Sequence, residues 1–168
     1  MTAKRTHRSK AALMVAASAL LAANMPYVTV QPAHAKSVEP AQWIVKTSPH
    51  DVETTVAQLK AAVEKAGAKV FAVIDHQAGA KSAGLELDPT TLVIFGNPKI
   101  GTPIIQADRN AALDLPIRVL VWSEQGRTRI GVLSPEEFKR RYDVKNADKA
   151  LQMMGKALNN LLNAAIAS

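Results

Sequence analysis

Apolar residues along this chain come in two spacings. Val52, Val56, Leu59, Val63 and Ala66 recur three and four apart, the interval that lines one face of a helix. Ser48-Pro49-His50-Asp51 precedes them and predicts the helix start, with Ser48 as N-cap, Pro49 at the first turn and Asp51 closing a capping box. Gly67 stands where a glycine ends such a helix. Leu151, Met154, Leu158, Leu161, Leu162 and Ala165 form a second helical stripe, opposed by Lys149, Gln152, Lys156, Asn159, Asn160 and Asn163, and predict a helix over 147–167. Strand-length apolar runs predict β-strands at Trp43–Thr47, Val70–Ile74, Leu92–Phe95, Ile117–Trp122 and Thr128–Leu133, the last two joined by a Gln125-Gly126 turn. Val70–Ile74 is apolar on both faces, so both are expected to be covered.

Two further helix starts follow the same Ser/Thr-Pro chemistry. Thr102-Pro103 predicts a short helix to about Asn110, and Ser134-Pro135-Glu136-Glu137 predicts another with a glutamate at its third position. Residues 76–90 lack periodicity and contain Gly79, Gly84 and Asp88-Pro89, which predicts a long loop with at most one helical turn near Ala78–Ala83. The order is βαββαββα, an α+β fold in which a mostly antiparallel sheet is covered by helices, ending in an amphipathic helix over 146–168.

The first 35 residues change the reading of the composition. Lys4, Arg5, Arg8 and Lys10 form a basic start, Ala11–Ala23 is apolar and small apart from Ser18, and Ala33-His34-Ala35 fits a small-x-small cleavage site. This is the pattern of a secretory signal, with Lys36 as the expected new N-terminus and 36–40 a linker. The chain is therefore expected to be periplasmic or secreted, touching a membrane only through that signal. The sequence has 21 Lys and Arg against 14 Asp and Glu, and the four bases in the signal leave 17 against 14. No basic stripe for nucleic acid remains. The chain has no cysteine, which excludes a lipoprotein anchor, cysteine-zinc sites, covalent haem and thiol redox chemistry. The remaining 133 residues suit one domain.

The run FGNPKIGTPIIQADRNAALDLPIRVLVW from Phe95 to Trp122, with Ile74-Asp75-His76 before it, resembles the bacterial and archaeal domain-of-unknown-function family numbered 302. The motif places FGNP, GTP and LP turn chemistries in order, and the likeness covers about residues 41–145. It implies a TATA-binding-protein-like fold and a homodimer, and it implies no reaction. One departure stands at Val132-Leu133-Ser134, where the branch in question has an aromatic residue and an asparagine.

Polar and turn-forming residues gather after two of the apolar strands. Asp75, His76, Phe95, Gly96, Asn97, Lys99, Gly101 and Thr102 are the candidate ligand-binding residues. Gly96 admits a close neighbour, and the amides of the Gly101-Thr102 helix start could receive an anion. The same residue types also serve as plain turn formers. His76 is the one candidate acid or base, with Lys99 or backbone amides holding an anionic intermediate, and that enzyme reading requires the strand ends to converge. Phosphate-loop, metalloprotease, nucleophile-elbow and dinucleotide motifs are absent. Haem or metal held by His76 or a methionine across a dimer is a weaker alternative. The favoured expectation is a non-catalytic dimeric module that binds a small ligand or a protein partner, with no cofactor.

Overall fold

The computed structural model describes residues 41–168. The expected signal and the linker lie outside the described residues. Five strands are named here β1 (Trp43–Ser48), β2 (Lys69–Asp75), β3 (Thr90–Gly96), β4 (Ile117–Glu124) and β5 (Arg127–Leu133). The α-helices are α1 (Val52–Lys65), α2 (His76–Ser82), α3 (Pro98–Ala107), α4 (Pro135–Arg141) and α5 (Asp148–Ala165), with short 3-10 turns at Arg109–Leu113 and Lys145–Ala147. The strands form one antiparallel sheet in the order β1-β5-β4-β3-β2. The expected α+β fold is therefore the observed one.

Alternation along the strands assigns the two faces. Val93 and Phe95 of β3, Ile117, Val119 and Val121 of β4, and Ile130 and Val132 of β5 are buried on one face. Helix α1 crosses that face against β2 to β5, and α5 packs along α1. All six apolar positions of the C-terminal stripe are buried, and α5 buries Ala150 as well. The opposite face carries Val45, Gly131, Leu120, Leu92 and Ile74, which pair in register and form a row across all five strands. Trp122 lies on this face over Gly131, where a Cβ would come within 3.1 Å of the indole. Side chains in the row are exposed or half-buried.

Local chemistry corrects two of the expected helix starts and one expected loop. Asp51, not Ser48, caps α1 by accepting a 2.7 Å hydrogen bond from the Thr54 N–H. Strand β1 runs on to Ser48, whose buried hydroxyl lies 2.7 Å from that of Thr55 and accepts the His50 N–H at 3.2 Å rather than an α1 amide. Helix α3 begins at Pro98 under an Asn97 cap, so Thr102-Pro103 falls inside it. Asn97-Pro98 carries the same cap-then-proline signal five residues earlier and prevails. The expected loop 76–90 opens with α2, capped by Asp75 through the Ala78 N–H at 2.9 Å. That helix buries no residue, so it left no apolar pattern to read. Strand β2 is also less covered than expected: Phe71, Val73 and Ile74 are exposed on an edge strand bearing a register shift between Val70 and Ala72. The Gly67 stop of α1 and the Ser134-Pro135 start of α4 form as the sequence predicts.

Candidate functional site

An apolar groove of about 280 Å³ opens where β3 meets α3. Its floor includes Phe95 and Ile117, and the cis Leu115–Pro116 pair closes one side. Pro98, Gly101, Thr102 and Ile105 of α3 form one wall. Met154, Ala157, Leu158 and Leu161 of α5 form the other. Each set runs i, i+3, i+4, i+7, so each wall is one helical stripe. Ala66, Ala68 and Phe71 complete the lining beside Gly96 and Asn97.

The turn chemistry at Asn97 shapes this groove. Its carboxamide oxygen accepts the Lys99 N–H at 3.0 Å, which starts α3, and its amide reaches toward the Gly67 carbonyl at 3.4 Å. Gly67 has φ +70°, the left-handed region that lets α1 end abruptly and deliver Ala68 to the groove. Gly96 sits tightly: a Cβ there would lie 3.3 Å from Pro116 Cβ and 3.6 Å from the Phe71 ring. Gly101 is the opposite case. A Cβ at this position would meet only Leu115 Cδ1, at 4.0 Å. A glycine inside a helix costs about 1 kcal/mol relative to alanine, and no crowding requires it here. Its effect is to keep the groove open.

The eight residues named from the sequence divide into groups. Phe95, Gly96, Asn97, Gly101 and Thr102 line the groove. Lys99 belongs to the same turn but is not part of the lining. Asp75 and His76 lie at the other end of the sheet, because Asp75 pairs with Thr91 while Gly96 pairs with Lys69. Six residues of strand separate the two ends, roughly 20 Å. His76 is exposed at the first position of α2, so the structure does not bring it to Lys99, and the convergence needed for acid–base chemistry with an anion hole is not formed. Among the described residues, no three His, Cys, Asp or Glu side chains gather as metal ligands. Met154 packs in the core and in the groove wall, while Met153 is exposed.

Sequence reading missed the α5 wall and Lys69. The α5 residues had already been assigned to the core by their period, and no local signal marks which of them face a gap. The Lys69 ammonium stands 5.6 Å from the centroid of the Phe71 ring, which is itself 51% exposed in the groove lining. This is cation–π range.

A second polar cluster, near the first residue of β1, ties α4 to the sheet. Glu137 has no accessible surface. It accepts from the Gln42 N–H at 3.1 Å, from Arg140 Nε at 2.9 Å and from Arg141 Nε at 2.6 Å. The Arg140 guanidinium, opposed by burial and helped by Arg141, brings its carboxyl down to about 2. Asp114 is also buried and accepts from Tyr142 Oη at 2.7 Å, from Arg141 at 2.9 Å and from Arg118. Burial pushes its carboxyl up, but Tyr142, Arg141 and Arg118 outweigh burial and hold it below the usual carboxylate range. Each acid is matched by arginine, so the cluster reads as a clamp.

The family model described as "Domain of unknown function DUF302" matches residues 44–161. This chain belongs to the DUF302 family. The expected likeness to family 302 is thus established, over a longer stretch that includes most of α5. A crystal structure of an uncharacterised conserved DUF302 protein from Bacillus stearothermophilus superposes with a TM-score of 0.67 at 17% identity, covering 73% of this chain and 97% of that one. At that identity the likeness concerns the fold. Fluoride-specific ion channel FluC 1 of Brucella suis is 41% identical over 109 residues, 64% of this chain and 43% of that protein. Fluoride-specific ion channel FluC 2 of Brucella melitensis is likewise 41% identical over 109 residues, 40% of its length. The chain thus spans less than half the length of these curated relatives. Among the described residues, no helix is long and apolar enough to cross a membrane.

Proposed function

We propose that this DUF302 domain is a non-catalytic binding module that holds a small apolar molecule in the groove between α3 and α5. The groove itself carries the reading: about 280 Å³ of space, apolar on nearly every side, held open by a helical glycine that packing does not require. An engineered apolar cavity of about 150 Å³ suffices to take up benzene. Five of the eight residues chosen from turn chemistry line the space, which supports a ligand over a purely structural turn. The module acts outside the cytoplasm once residues 1–35 are removed, a reading supported by the basic and apolar start of the sequence. For the Brucella channels, we read the shared portion as an attached binding module. The absence of a membrane-length helix among the described residues favours this over the conducting part.

A second copy fits the open sheet face. The row from Val45 to Ile74, flanked by Trp43 and Trp122, is a continuous apolar band that no long helix among the described residues covers. Five strands of about six residues present roughly 500 Å² in projection. Two copies together bury roughly 1,000 Å², the lower bound for a specific interface. Native mass spectrometry of the purified chain, repeated under denaturing conditions, tests both readings. The expected spectrum shows a dimer with a mass excess that disappears on denaturation, or an empty dimer that takes up added naphthalene. A chain that neither retains nor accepts any apolar molecule refutes the groove reading. A monomer at 50 μM refutes the paired one.

A further inference from the structure

We infer that the groove accepts a single straight acyl chain ending in an anionic group, with Lys69 at its mouth; this rests on the binding-module reading above and names the class of ligand. Shape comes first. Met154 to Leu161 on α5 and Pro98 to Ile105 on α3 each span seven residues, so both walls run about 10 Å along their helix axes. The two walls therefore give the space a length of about two helical turns. Its 280 Å³ is roomy enough for a chain of that length. An extended chain of eight to ten carbons, built from bonds near 1.5 Å, is about 10–12 Å long. The length of the two walls therefore suits such a chain.

Charge decides how that chain ends. The groove lining is apolar except at Asn97 and Thr102, and Asn97 already spends its oxygen on the α3 start. Phe71 lies at the edge of the groove, half exposed, and the Lys69 ammonium sits at its ring. Lys69 enters no ion pair among the described residues. A carboxylate or phosphate at the end of a chain lying past Phe71 meets an unpaired cation without leaving water. A free fatty acid and a phospholipid share this chemistry.

The test is calorimetric titration of the full chain with straight carboxylates of four to fourteen carbons, the matching alkanols, and naphthalene. Affinity is expected to rise roughly fourfold per methylene and level off near ten carbons. Lys69→Gln should weaken decanoate several-fold and leave decanol unchanged. Gly101→Leu and Ala157→Leu, two independent fillings of the groove, should each abolish both while the chain stays folded by circular dichroism. Flat affinity across chain lengths with tight naphthalene binding overturns the acyl inference and leaves the groove reading standing. No binding of any probe overturns both. Phosphatidylglycerol vesicles decide the source: sedimentation of the chain with them, lost in Gly101→Leu, assigns the lipid, and binding of decanoate alone assigns the free acid.

Discussion

Replacing Glu137 with glutamine removes the charge at the centre of the α4 clamp and leaves its shape. The carboxylate has no accessible surface and accepts from the Gln42 backbone and from two arginines. Its pKa falls from an ordinary 4.5 to about 2 on folding. Each tenfold difference in proton affinity is worth 1.36 kcal/mol, so the folded state gains about 3 kcal/mol from ionising this group. Arg140 and Arg141 keep 40% and 34% of their side-chain surface, so water screens part of that gain. The expected cost of Glu137→Gln at pH 7 is therefore about 2 kcal/mol. The folded pKa is depressed, so the contribution is fully present above pH 4.5 and is lost as pH falls through about 2. Urea denaturation of both chains across this range should show the gap between them closing toward pH 2. A gap under about 0.5 kcal/mol at neutral pH, or one indifferent to pH, would refute the clamp.

Three further outcomes follow from particular contacts. Asp51→Ala should destabilise by about 1 kcal/mol through loss of the α1 cap, and Ser48→Ala by less, because Thr55 still donates to the Asp51 carbonyl; equal costs would return the cap to Ser48. Gly101→Ala should raise stability by roughly 0.5–1 kcal/mol, measured by thermal melting, while weakening apolar ligands; a loss of stability would mean the space at Gly101 is not real. Gly131→Ala should shift Trp122 emission and cost about 1–3 kcal/mol, since the added Cβ lies 3.1 Å from the indole; unchanged emission would show that the ring does not rest there.

Residues whose surroundings are local could be read from the sequence. The stripe from Leu151 to Ala165 has one period and one face, and it forms as expected. Ser134-Pro135 caps α4 because nothing competes for the Ser134 hydroxyl, which accepts the Glu137 N–H. Ser48-Pro49 has the same letters, but Ser48 ends β1 and its hydroxyl accepts the His50 N–H, leaving the cap to Asp51. Asn97 falls in the groove lining because its turn starts α3, whereas Gly101 and Thr102 reach the lining as one face of that helix and not as the helix start their residue types suggested. Grouping Asp75 and His76 with them failed on topology. Strands β2 and β3 are antiparallel neighbours, so the end of one lies beside the start of the other. The α5 wall was illegible because facing a gap and facing a core require the same side chains.

The sheet order has a consequence for how the chain is made. Among the described residues, strand β1 hydrogen-bonds only to β5, with Ser48 opposite Thr128 and Trp43 opposite Leu133, pairs 80 and 90 residues apart. The first of the described strands to emerge thus waits for the last strand of the sheet. Closing so distant a pair is slow compared with local helix formation. A chain paused anywhere before Arg127 offers an apolar strand with two free edges, the state most open to a chaperone and most easily threaded through a membrane pore. Completion of β5 is the step that withdraws it.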